Sequence, residues 1–431
     1  MSKIYLDNAA TTPTDARVLI AMEPYYNKIY GNAGSLHSAG RESKTAILQA
    51  RKSIAKILNC KPEEIVFTGS GTESDNLAIL GTARACQQAL RSANKVILQL
   101  PPSQGSMGDP SLQKTSFTSL DLLPHIITSN IEHHAVLYPC EQLEKEGFKV
   151  TYSRVDSDGI LILDSFKKTI TDETILISIM YANNEIGTIQ PIEEIGKIIK
   201  EIKTDRIKRN ISTPIYFHTD ACQAAGYLEL DVQKMGVDLL TLNGSKIYGP
   251  KGTGVLYVKA GTKIDPIVFG GGQENGKRSG TENISGIIGL AKALEISQGK
   301  RRQESEKETK LRDYFIKQIN KNISKVVLNG SAVKRLPNNI NISILDIEGE
   351  AMLLWLDKYG IFCSTGSACD SQSLEPSHVI LALGRPYEYA NGNLRFTLGR
   401  STTKKDLDYV LKVLPKIVED LRRISPVNVT V

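Results

Sequence analysis

The sequence predicts an α/β protein with a large, mostly parallel-sheet domain and a smaller α+β domain. Short β-branched runs alternate with helix-like segments through the first two thirds of the chain, which is typical of parallel strands joined by crossover helices. The 431 residues are too many for one compact core and indicate two or three domains. A content of 41% hydrophobic and 23% charged residues excludes disordered and collagen-like chains.

Seven apolar runs are predicted to be strands of the large domain, with helices between them. The predicted strands are 65–67, 126–128, 149–152, 175–180, 215–217, 238–242 and 252–258, and the predicted helices are 73–89, 135–146 and 192–202. A polar helix at 287–320 leads into strands, a Gly/Ser-rich stretch and a last helix. We assign 16–297 to the large domain, and 1–15 with 298–431 to the small one. Residues 101–124 are rich in Pro and Ser and lack periodicity, which predicts a surface insertion.

The charge and cysteine content narrows the class of function. The net charge of +6 is spread thinly and forms no long basic run, so we expect neither nucleic-acid nor membrane binding. No apolar run has the length of a membrane span. The six cysteines form no Cys-x-x-Cys pair, and the chain opens without an apolar or Arg-rich leader, so we expect a reducing, cytoplasmic environment.

Two glycine motifs are chance matches. Residues 271–277 have the spacing of a phosphate-binding P-loop, but Arg278 stands where that motif needs Ser or Thr to hold magnesium. Residues 252–254 lack the rest of a dinucleotide fingerprint and do not open a helix. Neither indicates a nucleotide enzyme.

Two segments that follow predicted strands could bind a ligand. Gly71 and Thr72 belong to a Gly/Ser-rich turn that opens a helix, where free backbone N–H groups favour phosphate; an ordinary strand-to-helix turn is equally compatible. Asp220 ends an apolar strand, at the edge where α/β sheets bind ligands, although it could instead cap a helix.

Lys246 and Cys369 are the candidate reactive groups. Lys246 follows an apolar strand, and a lysine held against apolar walls can form a Schiff base with a carbonyl, although a solvated loop lysine is the simpler interpretation. Cys369 lies among small polar residues, which predicts an exposed thiol on a loop, whereas Cys363 follows an apolar pair and is predicted to lie in a strand. His133 could stack on a ring or move protons; because His133 and His134 are adjacent and diverge, we expect no metal site.

Taken together, these segments resemble a NifS/IscS-type cysteine desulfurase of the class V aminotransferase family. The resemblance runs from YLDNAATTP at residue 5 to LRFTLGR, which ends at residue 400, and includes GTESDNLAI, EHHAV, ANNEIG, HTDACQAAG, SKIYGPKG, RSGTEN and STGSACDSQSLEPSHV. It implies the PLP-dependent transferase fold (aminotransferase fold type I), with pyridoxal 5'-phosphate (PLP) as the cofactor.

The resemblance implies a role for each residue around the cofactor ring. Lys246 would hold PLP as a Schiff base, and Asp220 would pair with the protonated pyridine nitrogen. His133 would stack on the ring and help to move protons. Asn183 and Gln223 would bind around the ring oxygen, and Asn183 would also contact the substrate.

The phosphate and carboxylate sites follow in the same way. Gly71, Thr72 and Ser245 would hold the phosphate, joined by Thr281 from a neighbouring subunit, which implies a homodimer. Arg395 would bind the substrate carboxylate in a two-pronged contact. Family members usually carry Ser-x-His before the lysine, whereas this chain has Asn-Gly-Ser at 243–245, so one phosphate donor is changed.

The implied activity is the removal of sulfur from L-cysteine. The Cys369 thiolate would attack the substrate sulfur and form a persulfide, with release of L-alanine. The acceptors would be an iron–sulfur scaffold or another sulfur-acceptor protein, including tRNA-thiolation enzymes, and Cys369 could transiently ligate an iron–sulfur cluster through its persulfide.

Two alternatives remain open at this stage. The first is another PLP enzyme of the same fold, such as a selenocysteine lyase or a small-amino-acid aminotransferase. The Cys369 loop discriminates, because an aminotransferase needs no thiol there. A catalytically silent subunit that regulates sulfur transfer need not keep Lys246, Asp220, His133, Arg395 and Cys369.

Overall fold

The computed structural model describes residues 3–99, 124–366 and 376–425. The predicted insertion at 101–124 and the candidate nucleophile Cys369 therefore lie outside the described residues, except for Pro124. The strands are β1 (Ile4–Tyr5), β2 (Ile65–Thr68), β3 (His125–Ser129), β4 (Lys149–Ser153), β5 (Thr174–Ser178), β6 (Tyr216–Asp220), β7 (Leu239–Asn243), β8 (Gly254–Val258), β9 (Val326–Leu328), β10 (Asn339–Ile344), β11 (Ile361–Phe362) and β12 (Asn393–Thr397).

A seven-stranded sheet forms the larger half of the molecule. Its strand order is β2-β8-β7-β6-β5-β3-β4. Four neighbouring pairs, from β7 to β4, are parallel, and β8 is antiparallel to both β2 and β7. Most of these strands are buried along their whole length, as expected of a sheet covered by helices on both faces. All seven predicted strands are present, with ends shifted by up to three residues.

Helices pack around this sheet and around a second apolar core formed mostly by later residues. They are α1 (Ala16–Met22), α2 (Pro24–Asn27), α3 (Ser38–Leu58), α4 (Gly71–Asn76), α5 (Thr82–Gln99), α6 (His134–Lys145), α7 (Leu163–Thr169), α8 (Ile192–Lys208), α9 (Val232–Met235), α10 (Ile284–Asn322), α11 (Gly349–Lys358), α12 (His378–Ala382), α13 (Tyr387–Asn391) and α14 (Lys404–Ile424). In the described part of the chain, no helix has the length and apolar character needed to cross a membrane.

Several helix boundaries differ from the sequence-based expectation; the helix predicted at 192–202, for example, continues to Lys208. The helix predicted at 73–89 begins at Gly71 and, after a π-helical turn at Leu77–Gly81, continues to Gln99. No Gly or Pro interrupts the sequence between Gly81 and Pro101, so nothing stops the helix at residue 89. The helix α3 was not predicted, although Ile47, Ile54 and Leu58 lie on its buried face.

The two ends of the chain meet in two small sheets. The strands β9, β10 and β12 form an antiparallel sheet, and β1 pairs in parallel with β11. Ile4 and Leu6 are buried in one apolar cluster with Ile340, Leu394 and Phe396. This cluster supports the grouping of residues 1–15 with 298–431, and the boundaries of the two domains remain a prediction.

The helix α10 joins the two halves of the molecule. Its first part contributes Leu290 and Leu294 to the core beneath the large sheet, and its last part contributes Phe315 and Ile319 to the second core. The predicted helix 287–320 is thus confirmed with slightly wider bounds.

We expect Gly196→Ala to destabilise the fold. Gly196 lies on α8, where an added Cβ would collide with the backbone carbonyl oxygen of Met235, and the backbone cannot easily withdraw. We expect a loss of about 1–3 kcal/mol in the free energy of unfolding, measured by denaturant titration.

The matched control is Gly226→Ala, where a Cβ meets no atom within 4 Å. This change should alter the free energy of unfolding by less than about 1 kcal/mol. Equal losses in both variants would contradict the packing argument.

Candidate active site

A cavity opens at the carboxyl edge of the parallel strands. The segments that follow β2, β3, β6 and β7 all contribute lining residues, and the N-terminal segment closes one side. This edge is where open α/β sheets bind ligands. Seven of the predicted site residues line it together: Gly71, Thr72, His133, Asp220, Gln223, Lys246 and Arg395.

The start of α4 can receive an anion. The Ser70 hydroxyl accepts the N–H of Glu73 at 3.0 Å, whereas the N–H groups of Gly71 and Thr72 have no acceptor within the described ranges. A Cβ at Gly71 would lie 2.8 Å from the Cys222 sulfur, so only glycine fits here without a shift. Close approach and free N–H groups are the features that bind phosphate.

The cavity wall near Gly71 is formed by Asn243 and not by the predicted residue Ser245. The side-chain oxygen Oδ1 of Asn243 accepts both the N–H and the hydroxyl of Ser245, each at 3.0 Å, and Asn243 rather than Ser245 lines the cavity. The Asn243 amide nitrogen lies 3.3 Å from where a Cβ of Gly71 would be. Asn243 is therefore a further candidate for phosphate contact, and the role of Ser245 stays a prediction.

Lys246 ends a 3₁₀ turn that the N-terminal segment fixes in place. The Lys246 amine donates to the carbonyl oxygen of Ala10 at 2.5 Å. The Thr12 hydroxyl donates to the carbonyl oxygen of Ser245 at 2.9 Å and accepts the N–H of Tyr248 at 2.8 Å. Tyr248 has φ of 62°, a conformation that a bulky residue adopts only when its surroundings impose it. The turn that carries Lys246 is thus held from both sides.

His133 caps the N-terminus of the helix α6 through one of its two ring nitrogens. Its Nδ1 accepts the N–H of Ala135 at 3.0 Å, so the neutral ring carries its hydrogen on Nε2. Burial lowers the pKa of His133, which favours this neutral form. The ring of His134 lies beside it, and His378 lies 5.0 Å beyond His134 between ring centroids.

Four carboxyl groups line the cavity, and one of them, Glu185, accepts the hydroxyl of Ser377 at 2.5 Å. Asp220, predicted from the sequence, ends β6 and accepts the N–H of Cys222 at 2.8 Å. Asp75 and Glu132, which the sequence analysis missed, also line the cavity and are almost fully buried. Burial raises the pKa of Glu132 to about 8, and burial and the charge of Asp220 raise the pKa of Asp75. Both residues belong to motifs quoted above, GTESDN and EHHAV, which was the available signal.

Arg395 lies on β12 with its guanidinium at the cavity and 2% of its surface exposed. It donates to the Asp7 carboxylate at 3.1 Å and to the carbonyl oxygens of Asn184 and Gly366 at 3.0 and 3.3 Å. Its buried Nε has no partner among the described residues. A buried guanidinium with an unused donor suits a carboxylate ligand.

The structure corrects the prediction for Asn183. Its amide nitrogen donates to the carbonyl oxygen of Ile131 at 2.8 Å, and its oxygen accepts the N–H groups of Glu185 and Ile186. This side chain is fully buried and does not line the cavity, whereas that of Asn184 does. Asn184 is therefore the better candidate for ligand contact.

Besides Ser245 and Asn183, two more predicted residues are absent from the described cavity wall. Thr281 is exposed and does not line the cavity. Cys369 lies outside the described residues. The described residues on either side of its segment contact the cavity wall: the carbonyl oxygen of Gly366 accepts a hydrogen bond from Arg395, and the Ser377 hydroxyl donates to Glu185 at 2.5 Å.

Comparison with known proteins identifies the class. Residues 4–99 and 115–410 match the Aminotransferase class-V family, and the chain belongs to that family. The unmatched residues 100–114 fall mostly within the predicted insertion.

Within the family, the chain is similar to proteins named cysteine desulfurase IscS. The one from Dictyoglomus turgidum is 50% identical, covering 98% of this chain and 96% of that protein. The one from Methanosarcina thermophila is 47% identical, covering 99% and 94%.

Solved structures agree with these sequence matches. A NifS-like protein superposes with a TM-score of 0.82 at 33% identity, covering 97% of this chain and 100% of that chain. A structure of SspA in complex with cysteine has a TM-score of 0.73 at 34% identity, covering 92% and 99%. The predicted fold class and the resemblance to NifS/IscS-type cysteine desulfurases are confirmed.

We expect replacement by alanine to lower the free energy of unfolding much more at Asn183 than at the adjacent Asn184. Asn183→Ala leaves several buried backbone groups without a partner and should lower the free energy of unfolding by about 2–4 kcal/mol. Asn184→Ala, at a half-buried position, should change it by less than about 1 kcal/mol. Denaturant unfolding of both variants measures the difference, and a larger loss in Asn184→Ala would reverse the assignment.

Proposed function

We propose that the chain is a PLP-dependent L-cysteine desulfurase, which converts L-cysteine to L-alanine and retains the sulfur as a persulfide on Cys369. The observation that carries the proposal is the convergence of Lys246, Asp220, His133 and Arg395 on one cavity, beside a helix start that suits phosphate.

The residues present fit PLP. The free N–H groups of Gly71 and Thr72 would hold the phosphate together with the Asn243 amide. Gly71 has no Cβ, so a phosphate can approach its backbone closely. Lys246 would anchor the cofactor through Nζ, and Asp220 would hold the proton of the ring nitrogen. When bound, PLP supplies an electron sink for negative charge on the substrate carbon.

The chain's own groups then act on L-cysteine. The Arg395 guanidinium would bind the substrate carboxylate and fix its orientation. The Lys246 amine and Nε2 of His133 would hold and move protons beside the substrate carbon. The thiolate of Cys369 would attack the substrate sulfur; a sulfur–sulfur bond forms, the carbon–sulfur bond breaks, and its electron pair takes a proton to complete L-alanine.

A homodimer with composite sites is part of the proposal. Several large apolar side chains in the first forty residues are exposed, and Phe269 is 83% exposed: Leu19, Ile20, Tyr26, Tyr30 and Leu36. Exposed apolar side chains in such number favour a protein–protein contact. In the proposed homodimer, a second copy covers them and Thr281 of each subunit joins the other's phosphate site.

The persulfide requires an acceptor. We infer an iron–sulfur scaffold or another sulfur-acceptor protein, with transient ligation of an iron–sulfur cluster at Cys369 as part of the delivery. The sparse cysteines, with Cys86, Cys140, Cys222 and Cys363 buried and unpaired, support action in the reducing cytoplasm.

We expect Lys246→Ala to abolish the yellow colour of the purified, PLP-loaded protein. Within residues 3–99, 124–366 and 376–425, Lys246 is the lysine that lines the cavity, so removal of its amine ends covalent attachment. The absorption spectrum measures this. The control is Lys251→Ala, whose amine donates to the carbonyl oxygen of Thr12 at 3.0 Å, and which should stay yellow. A yellow Lys246→Ala protein would refute the cofactor assignment.

We expect Cys369→Ser to bind L-cysteine but to gain no sulfur. Cys363→Ser is the matched control, because Cys363 is buried and burial raises the pKa of its thiol, which leaves it unreactive. Mass spectrometry after incubation with L-cysteine should show added sulfur on the Cys369 peptide in the wild type and in Cys363→Ser. Added sulfur on Cys363 in the Cys369→Ser protein would overturn the assignment.

A further inference from the structure

The cavity holds more carboxyl groups than its charges can support. Glu132 is 0% exposed, Asp75 is 1% exposed and Asp220 is 8% exposed, and all three line the same cavity. Each buried carboxylate loses its hydration, so it needs a cation or several hydrogen bonds to remain ionised.

The cations around the cavity are too few for three carboxylates. In the described ranges, Lys246 and Arg395 are the lysine and arginine that line it. Arg395 is already paired with Asp7 at 3.1 Å. Burial keeps His133 neutral by lowering its pKa. The net positive charge available therefore matches about one carboxylate, whereas four carboxyl groups line the cavity, Glu185 among them.

In the described chain, the carboxyl group of Glu132 is hydrogen-bonded through one of its two oxygens. Its Oε1 accepts the Ser129 hydroxyl at 2.5 Å and the N–H of Met180 at 3.0 Å. Its Oε2 is buried and has no partner among the residues that the structure describes. A carboxylate would leave that oxygen bare, whereas a carboxylic acid places its proton there and keeps Oε1 as the acceptor.

Asp75 also has one buried oxygen, Oδ1, without a hydrogen-bond partner in the described chain, and the nearest basic nitrogen is Nε2 of His218, at 3.6 Å. His218 cannot supply charge, because burial lowers its pKa to about 4 and its two nitrogens lie at 2.8 and 3.1 Å from the hydroxyls of Ser178 and Thr241.

Asp220 differs from both. Its Oδ1 accepts the backbone N–H of Cys222 at 2.8 Å, and it keeps more contact with the cavity than the other two. We propose that Glu132 and Asp75 each hold a proton in the folded protein, so that Asp220 is the only one of the three carboxyls that carries negative charge.

The consequence for the reaction rests on the proposed function. Two neutral acids beside Asp220 concentrate the negative charge where the protonated ring nitrogen of PLP would lie. If either neighbour were ionised, it would compete for that proton. Glu132 and Asp75 are in this sense positioning residues that act through Asp220.

The electrostatic surroundings of Glu132 agree with the geometry. Burial, with a further contribution from Asp220, raises the pKa of Glu132 to about 8. The titratable and charged groups that line the cavity with Glu132 or pack against it share that burial: Asp75, Glu185, Asp220, His133, His134, His378, Cys140, Cys222, Lys246 and Arg395. Among the described residues, the lysine and arginine of this set are Lys246 and Arg395, and Arg395 forms its ion pair with Asp7 rather than with Glu132.

The test is the pH dependence of unfolding of the full-length chain without added PLP. Between its ordinary pKa near 4.5 and about 8, Glu132 is ionised when unfolded and protonated when folded, so stability falls as pH rises. Glu132→Gln keeps a neutral side chain with a donor and cannot titrate. Relative to this variant, the wild-type folding equilibrium should weaken by about tenfold per pH unit between pH 5.5 and 7.5.

A second readout is the infrared absorption of neutral carboxylic acids at pH 7. A band should be present in the wild type and reduced in Glu132→Gln and in Asp75→Asn. The control is Glu141→Gln on α6, an exposed position, which should change neither the infrared band nor the pH dependence.

Parallel pH profiles for wild type and Glu132→Gln, or an infrared band unchanged in Glu132→Gln and Asp75→Asn, would overturn the proposal. Both measurements are made without cofactor or substrate, so they are independent of the proposed function. Failure of Lys246→Ala to lose its colour would refute the cofactor assignment and leave the protonation result standing.

Discussion

The site depends on one extended segment near the N-terminus, which is hydrogen-bonded to both halves of the molecule. Ile4–Tyr5 pairs with Ile361–Phe362, and Asp7 bridges to Thr397, so the segment begins as part of the small sheets. A few residues later Thr12 fixes the turn that carries Lys246. Between these points, the segment contacts three of the candidate site residues: Arg395 at Asp7, Gln223 at Ala9 and Lys246 at Ala10. Groups far apart in sequence therefore meet because this segment joins their elements.

Burial then decides the chemistry of the groups that meet. In a closed cavity an ionised group is stable only with a counter-charge or strong hydrogen bonds. The same desolvation lowers the pKa of His133 and raises that of Glu132. Arg395 keeps its charge beside Asp7 and the backbone carbonyl oxygens. The cavity is thus arranged with few net charges, each aimed at a complementary group of the substrate or cofactor that we propose.

Several site residues could be predicted from the sequence because they follow strands. Gly71, Asp220 and Lys246 each come just after an apolar run, and the carboxyl ends of parallel strands meet at one edge. The choice between neighbouring residues could not be made in this way. Which of Asn183 and Asn184 faces the cavity depends on a tight turn that consumes one side chain in its own hydrogen bonds.

The sequence by itself determined the alternation of strands and helices, the strand ends where ligand-binding residues lie, and the family to which the chain belongs. These follow from local patterns of apolar and polar residues and from ordered motifs. The tertiary structure decided that Asn243 takes the place of Ser245 at the cavity wall and that Asp75 and Glu132 join Asp220. These features depend on contacts between segments remote in sequence and on the total burial that those contacts produce, which no local pattern contains.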